Sequence, residues 1–292
     1  MTQLLHAIVE PGFFASSPVR LAVVIGALVA IVAAAAGVFT VLRGQSFAGE
    51  ALGDIGAAGG SSAYLAGIGA LWGFLGVSVA AAAAMELIGI QRSRGRDLAT
   101  GIVLGVGFGL AALFLYLGTT RTSNTGTPVQ ILFGSIFTLT SSILPLVLAL
   151  GAVVLGALIV LYRPLLLVSV SPELAAARGL PVRALGAAYL FAMAAAVALS
   201  ALTIGAILST ALLVGPAATA LKLTTSPPRA VFTAAATGVG CVWLGILLAY
   251  DSYHWPPRTH GWPPSFFIVT LVLGVYLVAS LRTPVRGRKR GV

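Results

Sequence analysis

Long apolar runs, interrupted by short polar or basic stretches, make up most of the chain. Residues 21–42 form an uncharged run of 22 residues, enough to cross about 30 Å of hydrocarbon as a helix. Arg43 ends it. Further runs follow at about 51–67, 70–90, 98–118, 142–162, 184–202, 205–222, 230–249 and 265–281. The run 51–67 is thick with glycine and serine, which lets helix backbones approach closely in lipid, so it is expected near the centre of a bundle. Residues 128–141 are apolar but too short to span, and read as a re-entrant or interfacial piece. The pattern predicts an all-α polytopic membrane protein of eight or nine transmembrane helices, the count turning on residues 43–70.

One segment breaks the pattern. Residues 169–183 are too short and polar to span, and S-P-E-L-A-A-A-R-G-L-P reads as a capped helix. Ser171 is the N-cap, Pro172 opens the first turn and Glu173 follows; Gly179 and Pro181 stop it. Such a helix is either a connector or a docking element for a soluble partner.

Composition supports the membrane assignment. The chain is 59% hydrophobic and only 8% charged, with a mean hydropathy of +1.04. A soluble domain carries about 25% charged residues. The first 20 residues lack the basic start of a cleavable signal peptide, and 1–20 is expected to be a mixed N-terminal segment of a single domain over 1–292. The lone Cys241 excludes an internal disulfide and a CxxC metal site, and with only three methionines it argues against a soft-metal path.

The net charge of +10 points to topology rather than nucleic acid, because Arg282, Arg286, Arg288, Lys289 and Arg290 crowd the tail. Loops at 91–97, 163–183 and 222–229 and the tail 282–292 are basic and are expected in the cytoplasm. Loops at 119–127 and 250–264 hold one cation each and are expected outside. Nine spans would put the N-terminus outside as well.

Chemistry is confined to a few residues. The acidic residues are Glu10, Glu50, Asp54, Glu86, Asp97, Glu173 and Asp251, of which only Glu50, Asp54 and Glu86 fall in segments apolar enough for a bilayer. An ionised group there is costly and usually functional. In a helix Glu50 and Asp54 share a face, and their repulsion is relieved by a cation between them or by a proton. Glu86 is read as snorkelling toward Arg92, Arg94 and Arg96. His6, His254 and His260 lie outside the runs. No G-x-x-x-x-G-K-[ST], G-x-S-x-G or H-E-x-x-H motif occurs, so neither ATP hydrolysis nor intramembrane hydrolysis is expected of the chain itself. An ATP-driven permease would need a separate nucleotide-binding subunit, with 171–180 as the place to receive it.

V-L-R-G-Q-S-F-A-G-E-A-L-G-D at 41–54 resembles the signature of the metal-ion ABC importer permeases of the manganese, zinc and iron type, where the run reads roughly L-R-x-x-S-x-x-G-D-A-L-S-H-A. D-L-A-T-G-I at 97–102, I-L-F-G-S-I at 131–136, P-E-L-A-A-A-R-G-L-P at 172–181 and L-L-V-G-P-A-A-T-A at 212–220 echo that family in order. The resemblance implies a permease in the bacterial cell membrane, C-terminus cytoplasmic, with no resident cofactor and a divalent metal ion as substrate. It implies a homodimer, a cytoplasmic ABC ATPase, and an extracytoplasmic metal-binding lipoprotein. Residues 171–181 become the coupling helix, with Ser171, Pro172, Glu173, Leu174, Arg178 and Gly179 at the ATPase. The family's intramembrane acid and histidine fall on Glu50 and Asp54. Asp for His makes the pair all-oxygen, which favours Mn²⁺ over Zn²⁺, whose sites commonly include His or Cys. Members of similar sequence that lack the histidine tend to be assigned to zinc, so the metal stays open. Arg121, Asp251 and His254 are candidates for contacting the binding protein, on position alone. Two other readings remain: an ATP-independent carrier or channel, and a non-transporting scaffold subunit.

Overall fold

The structure is a computed structural model and describes residues 13, 16–88, 93–122, 126–134, 136–254 and 261–282. Among the described residues the chain is helical throughout, without strands. The helices are α1 (Ser17–Leu42), α2 (Ser46–Leu65), α3 (Ala70–Ile88), α4 (Ser93–Thr122), α5 (Gly126–Phe133), α6 (Leu144–Val170), α7 (Pro172–Ala177), α8 (Val182–Ile204), α9 (Ala206–Leu223), α10 (Pro227–Asp251) and α11 (Pro264–Arg282). Single 3₁₀ turns at Ile136–Thr138, Ser141–Ile143 and Ser252–His254 complete the path.

Eight of these helices are long and apolar enough to cross a membrane. α1 and α8 form the centre: 67% and 78% of their most apolar windows are buried within the chain, against 22–44% for the other six. Both are hydrophobic all round, as helices enclosed by neighbours are. The outer helices turn Ile159, Val160, Phe232 and Leu281 outward, which suits contact with lipid.

α2 is the ninth long helix and the reason the span count was open. Its glycines, serines and two carboxylates keep it outside the group of eight. It is nevertheless buried along almost its whole length, against α3, α4, α8 and α9. A helix shielded from lipid by protein needs no high hydropathy. Gly59 and Gly73 bring α2 and α3 together so closely that a methyl group on either would overlap the other's carbonyl. Gly59→Val should therefore lower the thermal midpoint of the purified protein markedly, since overpacking costs about 1–3 kcal/mol. Gly76→Val, on α3 with open space around it, should leave the midpoint unchanged, and equal shifts in the two variants would contradict this packing.

The short run at 128–141 is a half-helix, α5, followed by broken 3₁₀ turns. Gly134 (φ +82°) ends α5 and Gly205 (φ +89°) forms the turn between α8 and α9. Each packs on the other's backbone so tightly that a side chain on either would collide with it. This contact pins the end of α5 to the centre of the bundle.

Two sequence boundaries need correction. The basic stretch 91–97 is not wholly a loop, because α4 begins at Ser93. The span read as ending at Tyr162 continues as α6 to Val170, through Arg163 and Pro164, and is about 40 Å long. In both cases charge marks the edge of the apolar run, whereas arginine is a good helix former and lets the helix itself go on.

Candidate functional site

The α1–α2 turn places the carboxylate pair. Gly44 takes φ +63°, and Gln45 N–H returns to the Thr40 carbonyl at 2.9 Å. Arg43 Nε donates to Gln45 Oε1 at 3.2 Å, and its guanidinium lies 5.3 Å from the centre of the Tyr189 ring. Tyr189, on α8 and completely buried, brings its hydroxyl to 2.6 Å from Thr40 Oγ1 and donates to the Ala36 carbonyl at 3.0 Å. These bonds fasten the end of α1 to α8, and so fix where α2 starts.

Glu50 and Asp54 lie one turn apart in the first half of α2. Asp54 is only 6% exposed, and its Oδ2 is buried with no hydrogen-bond partner among the described residues. A buried carboxylate oxygen without a partner carries a large desolvation cost unless a proton or a cation meets it. Glu50 is half-buried and faces a mostly apolar cavity of about 510 Å³ between α2, α9 and α11, whose wall includes Ser46, Thr210, Val272 and Tyr276. Next to the pair, Gly53 leaves room for Ser209, whose hydroxyl donates to Ala206 at 2.7 Å and keeps its lone pairs as a neutral oxygen donor. Among the described residues no group of three or more His, Cys, Asp or Glu comes together. What stands together here is two carboxylates and a neutral hydroxyl oxygen. Glu86 stands apart, half-buried in the last turn of α3.

At the other candidate surface, α7 is built as its sequence suggests. Ser171 Oγ accepts from Leu174 N–H at 3.3 Å, and Gly179 (φ +75°) ends the element. Ala175 is fully buried against Val168 of α6 and Leu185 of α8. The opposite face is presented outward: Pro172, Glu173, Leu174, Arg178 and Gly179 are exposed, Leu174 at 47%. Together they form an exposed leucine flanked by an acid and an arginine, a surface that no described residue covers.

The residues proposed for outer docking are not gathered into one cluster. Arg121 falls in the last turn of α4, which packs on α2 and α3. Asp251 ends α10, which packs on α1, α9 and α11, and His254 lies in the 3₁₀ turn after it. His6 and His260 lie outside the described residues. Sequence reasoning missed Thr40, Tyr189, Ser209, Thr210 and Tyr276. They come from helices far apart in the chain and are brought together only by its packing.

Eight apolar helices packed about α1 and α8, with a buried carboxylate-bearing α2 and a short capped helix between two spans, define a polytopic membrane protein. The chain matches the model of the ABC 3 transport family over residues 17–283 and belongs to that family. Permease subunits of this kind carry no ATPase site of their own. It is 31% identical over 252 residues to a membrane protein of Cyanophora paradoxa, covering 86% of this chain and 82% of that one. It is 29% identical over 230 residues to the manganese transport system membrane protein MntC of Listeria innocua, covering 78% and 80%. In fold it resembles a chain of PsaBC from Streptococcus pneumoniae, solved in complex with Fab, with a TM-score of 0.77 at 24% identity and 92% of each chain covered.

Proposed function

We propose that this chain is the membrane permease of an ATP-binding-cassette importer for a divalent transition-metal ion, with Mn²⁺ the better fit than Zn²⁺. The observation that carries this reading is the buried, unpartnered Asp54 oxygen one turn from Glu50 on the wall of a cavity. An all-oxygen pair suits a harder ion such as Mn²⁺, and relatives such as MntC are named for manganese transport. Two carboxylates are too few to enclose an ion, so the remaining ligands are neutral oxygens, water or the same residues of a second copy in a homodimer.

Energy comes from a cytoplasmic ATPase subunit seated on α7, with Ser171, Pro172, Glu173, Leu174, Arg178 and Gly179 at the contact. An extracytoplasmic binding protein delivers the ion at the opposite end, where Arg121, Asp251 and His254 lie. The exposed apolar-and-charged face of α7 favours this over an ATP-independent carrier, which has no use for such a helix. The basic ends of the helices set the orientation in the cell membrane, with α7 and the C-terminus inside. With Cys241 first replaced by Ala, Tyr253→Cys should react with an impermeant maleimide from outside intact cells, and Thr225→Cys only after the membrane is opened. The reverse labelling would overturn the orientation.

Stimulation of ATPase activity tests the function itself. The reconstituted complex with its binding protein should hydrolyse ATP faster when Mn²⁺ is supplied; a rate indifferent to any divalent metal would contradict the reading. Asp54→His adds an imidazole donor and should shift preference toward Zn²⁺.

A further inference from the structure

A second opening lies on the side of the bundle away from α2. α1, α6 and α10 enclose a groove of about 670 Å³, lined by Ala35, Phe39, Leu155, Leu158, Val231 and Ala235 among others. Phe39 and Tyr162 meet edge to face at 5.7 Å along it. An apolar groove facing lipid would be filled by any acyl chain, so it specifies nothing by itself. Its end is what makes it selective. Tyr162 and Arg163 close the groove there, and the Tyr162 hydroxyl is buried without a hydrogen-bond partner among the described residues.

Arg163 and Pro164 also line an adjoining cavity of about 740 Å³ between the end of α6 and α7, whose wall includes Leu167, Val170, Arg178 and Leu180. Arg163 lines both openings and Arg178 only the second; both guanidinium groups are exposed, and neither has an ion pair or side-chain hydrogen bond among the described residues. A planar donor fork beside an unsatisfied hydroxyl matches the oxygens of a phosphodiester. Basic pockets between helices at the membrane boundary take up anionic head groups in this way.

We propose that one anionic phospholipid binds here, an acyl chain lying along α1, α6 and α10 and its phosphate held by Arg163 where the two openings share a wall, with Tyr162 donating to the same head group. A zwitterionic lipid brings its own cation toward Arg163 and is the poorer ligand. A water-soluble phosphate lacks the chain that the groove would hold. Because the second cavity lies between the end of α6 and α7, the bound lipid links the seating of that helix to the membrane. The site rests on this chain's own residues and is independent of which ion is carried.

Native mass spectrometry of the delipidated permease–ATPase complex tests this, titrated with phosphatidylglycerol, with phosphatidylcholine of the same chains, and with glycerophosphoglycerol, which has the head group and no chains. Phosphatidylglycerol should bind about tenfold more tightly than phosphatidylcholine, the effect of one or two charge-assisted hydrogen bonds. Arg163→Gln should reduce that preference, Arg163→Lys should retain most of it, and Arg282→Gln should leave it intact. Ala35→Trp, which fills the groove, should weaken both lipids. Gel filtration confirms that each variant remains folded. Equal binding of the two lipids by the unmodified chain would overturn the proposal, as would an undiminished preference in Arg163→Gln. Competition by glycerophosphoglycerol at concentrations similar to the lipid would instead mark a free-phosphate site and would also overturn it.

Discussion

Asp54→Asn should abolish metal uptake, lowering the rate by on the order of 100-fold or more, while the protein still inserts and assembles. The substitution keeps the side chain's shape and removes its charge. Asp54 is buried, and one of its oxygens has no hydrogen-bond partner among the described residues. Replacing that carboxylate by a neutral amide takes away the strongest interaction the position offers a cation and spares every contact the fold depends on. Stability should therefore hold or rise, since a buried charge no longer needs compensation. Glu50→Gln should act in the same direction and somewhat less severely, because Glu50 lies at the cavity wall and is only half-buried. Glu86→Gln should be nearly silent. Protons compete with the ion for the same oxygens, so uptake by the unmodified chain should weaken as the pH falls. Uptake of manganese by cells expressing each variant, normalised to protein in the membrane, measures all three. Normal transport in both Asp54→Asn and Glu50→Gln would remove the pair from the path.

Ala176→Pro is the second large effect. A proline in a helix interior costs about 3 kcal/mol, and α7 is only six residues long, so the element would not survive it. The change lies outside the spanning helices, and the bundle should still form. What should be lost is the arrangement of Glu173, Leu174 and Arg178 on one exposed face. The ATPase should then dissociate during purification, or remain attached and hydrolyse ATP without transport. Leu174→Asp tests the same surface more gently: the helix stays capped by Ser171, and the exposed apolar contact is lost. Co-purification of the ATPase and the ratio of ions moved to ATP consumed give the answer. Full retention and normal coupling in Ala176→Pro would leave α7 a mere connector.

The membrane spans were legible because lipid imposes a single demand on every outward surface. α7 was legible for a different reason: Ser171, Pro172 and Glu173 are local signals whose meaning does not depend on the rest of the chain. Boundaries fared worse where a charge ended an apolar run inside a helix, as at Asp97 and Arg163. The carboxylate pair stood out by scarcity, since few other acids fall in apolar sequence. Its surroundings did not. α8 is hydrophobic on every side, so no periodicity singles out Tyr189, and the partnership of Thr40, Tyr189 and Arg43 exists only once α1 and α8 are packed. Likewise Thr210 and Tyr276 reach the cavity beside Glu50 only through the packing of α9 and α11 on α2. The lipid groove had no sequence signal either, because Arg163 reads simply as the end of a span.

Manganese accumulation in sealed proteoliposomes, containing the permease, its ATPase and the binding protein, tests the central claim most directly. The account predicts uptake that requires hydrolysable ATP and vanishes in Asp54→Asn, with the complex intact by gel filtration. Uptake at the same rate without ATP would contradict it and make the chain a passive carrier, and undiminished ATP-driven uptake in Asp54→Asn would contradict the assignment of the ion path.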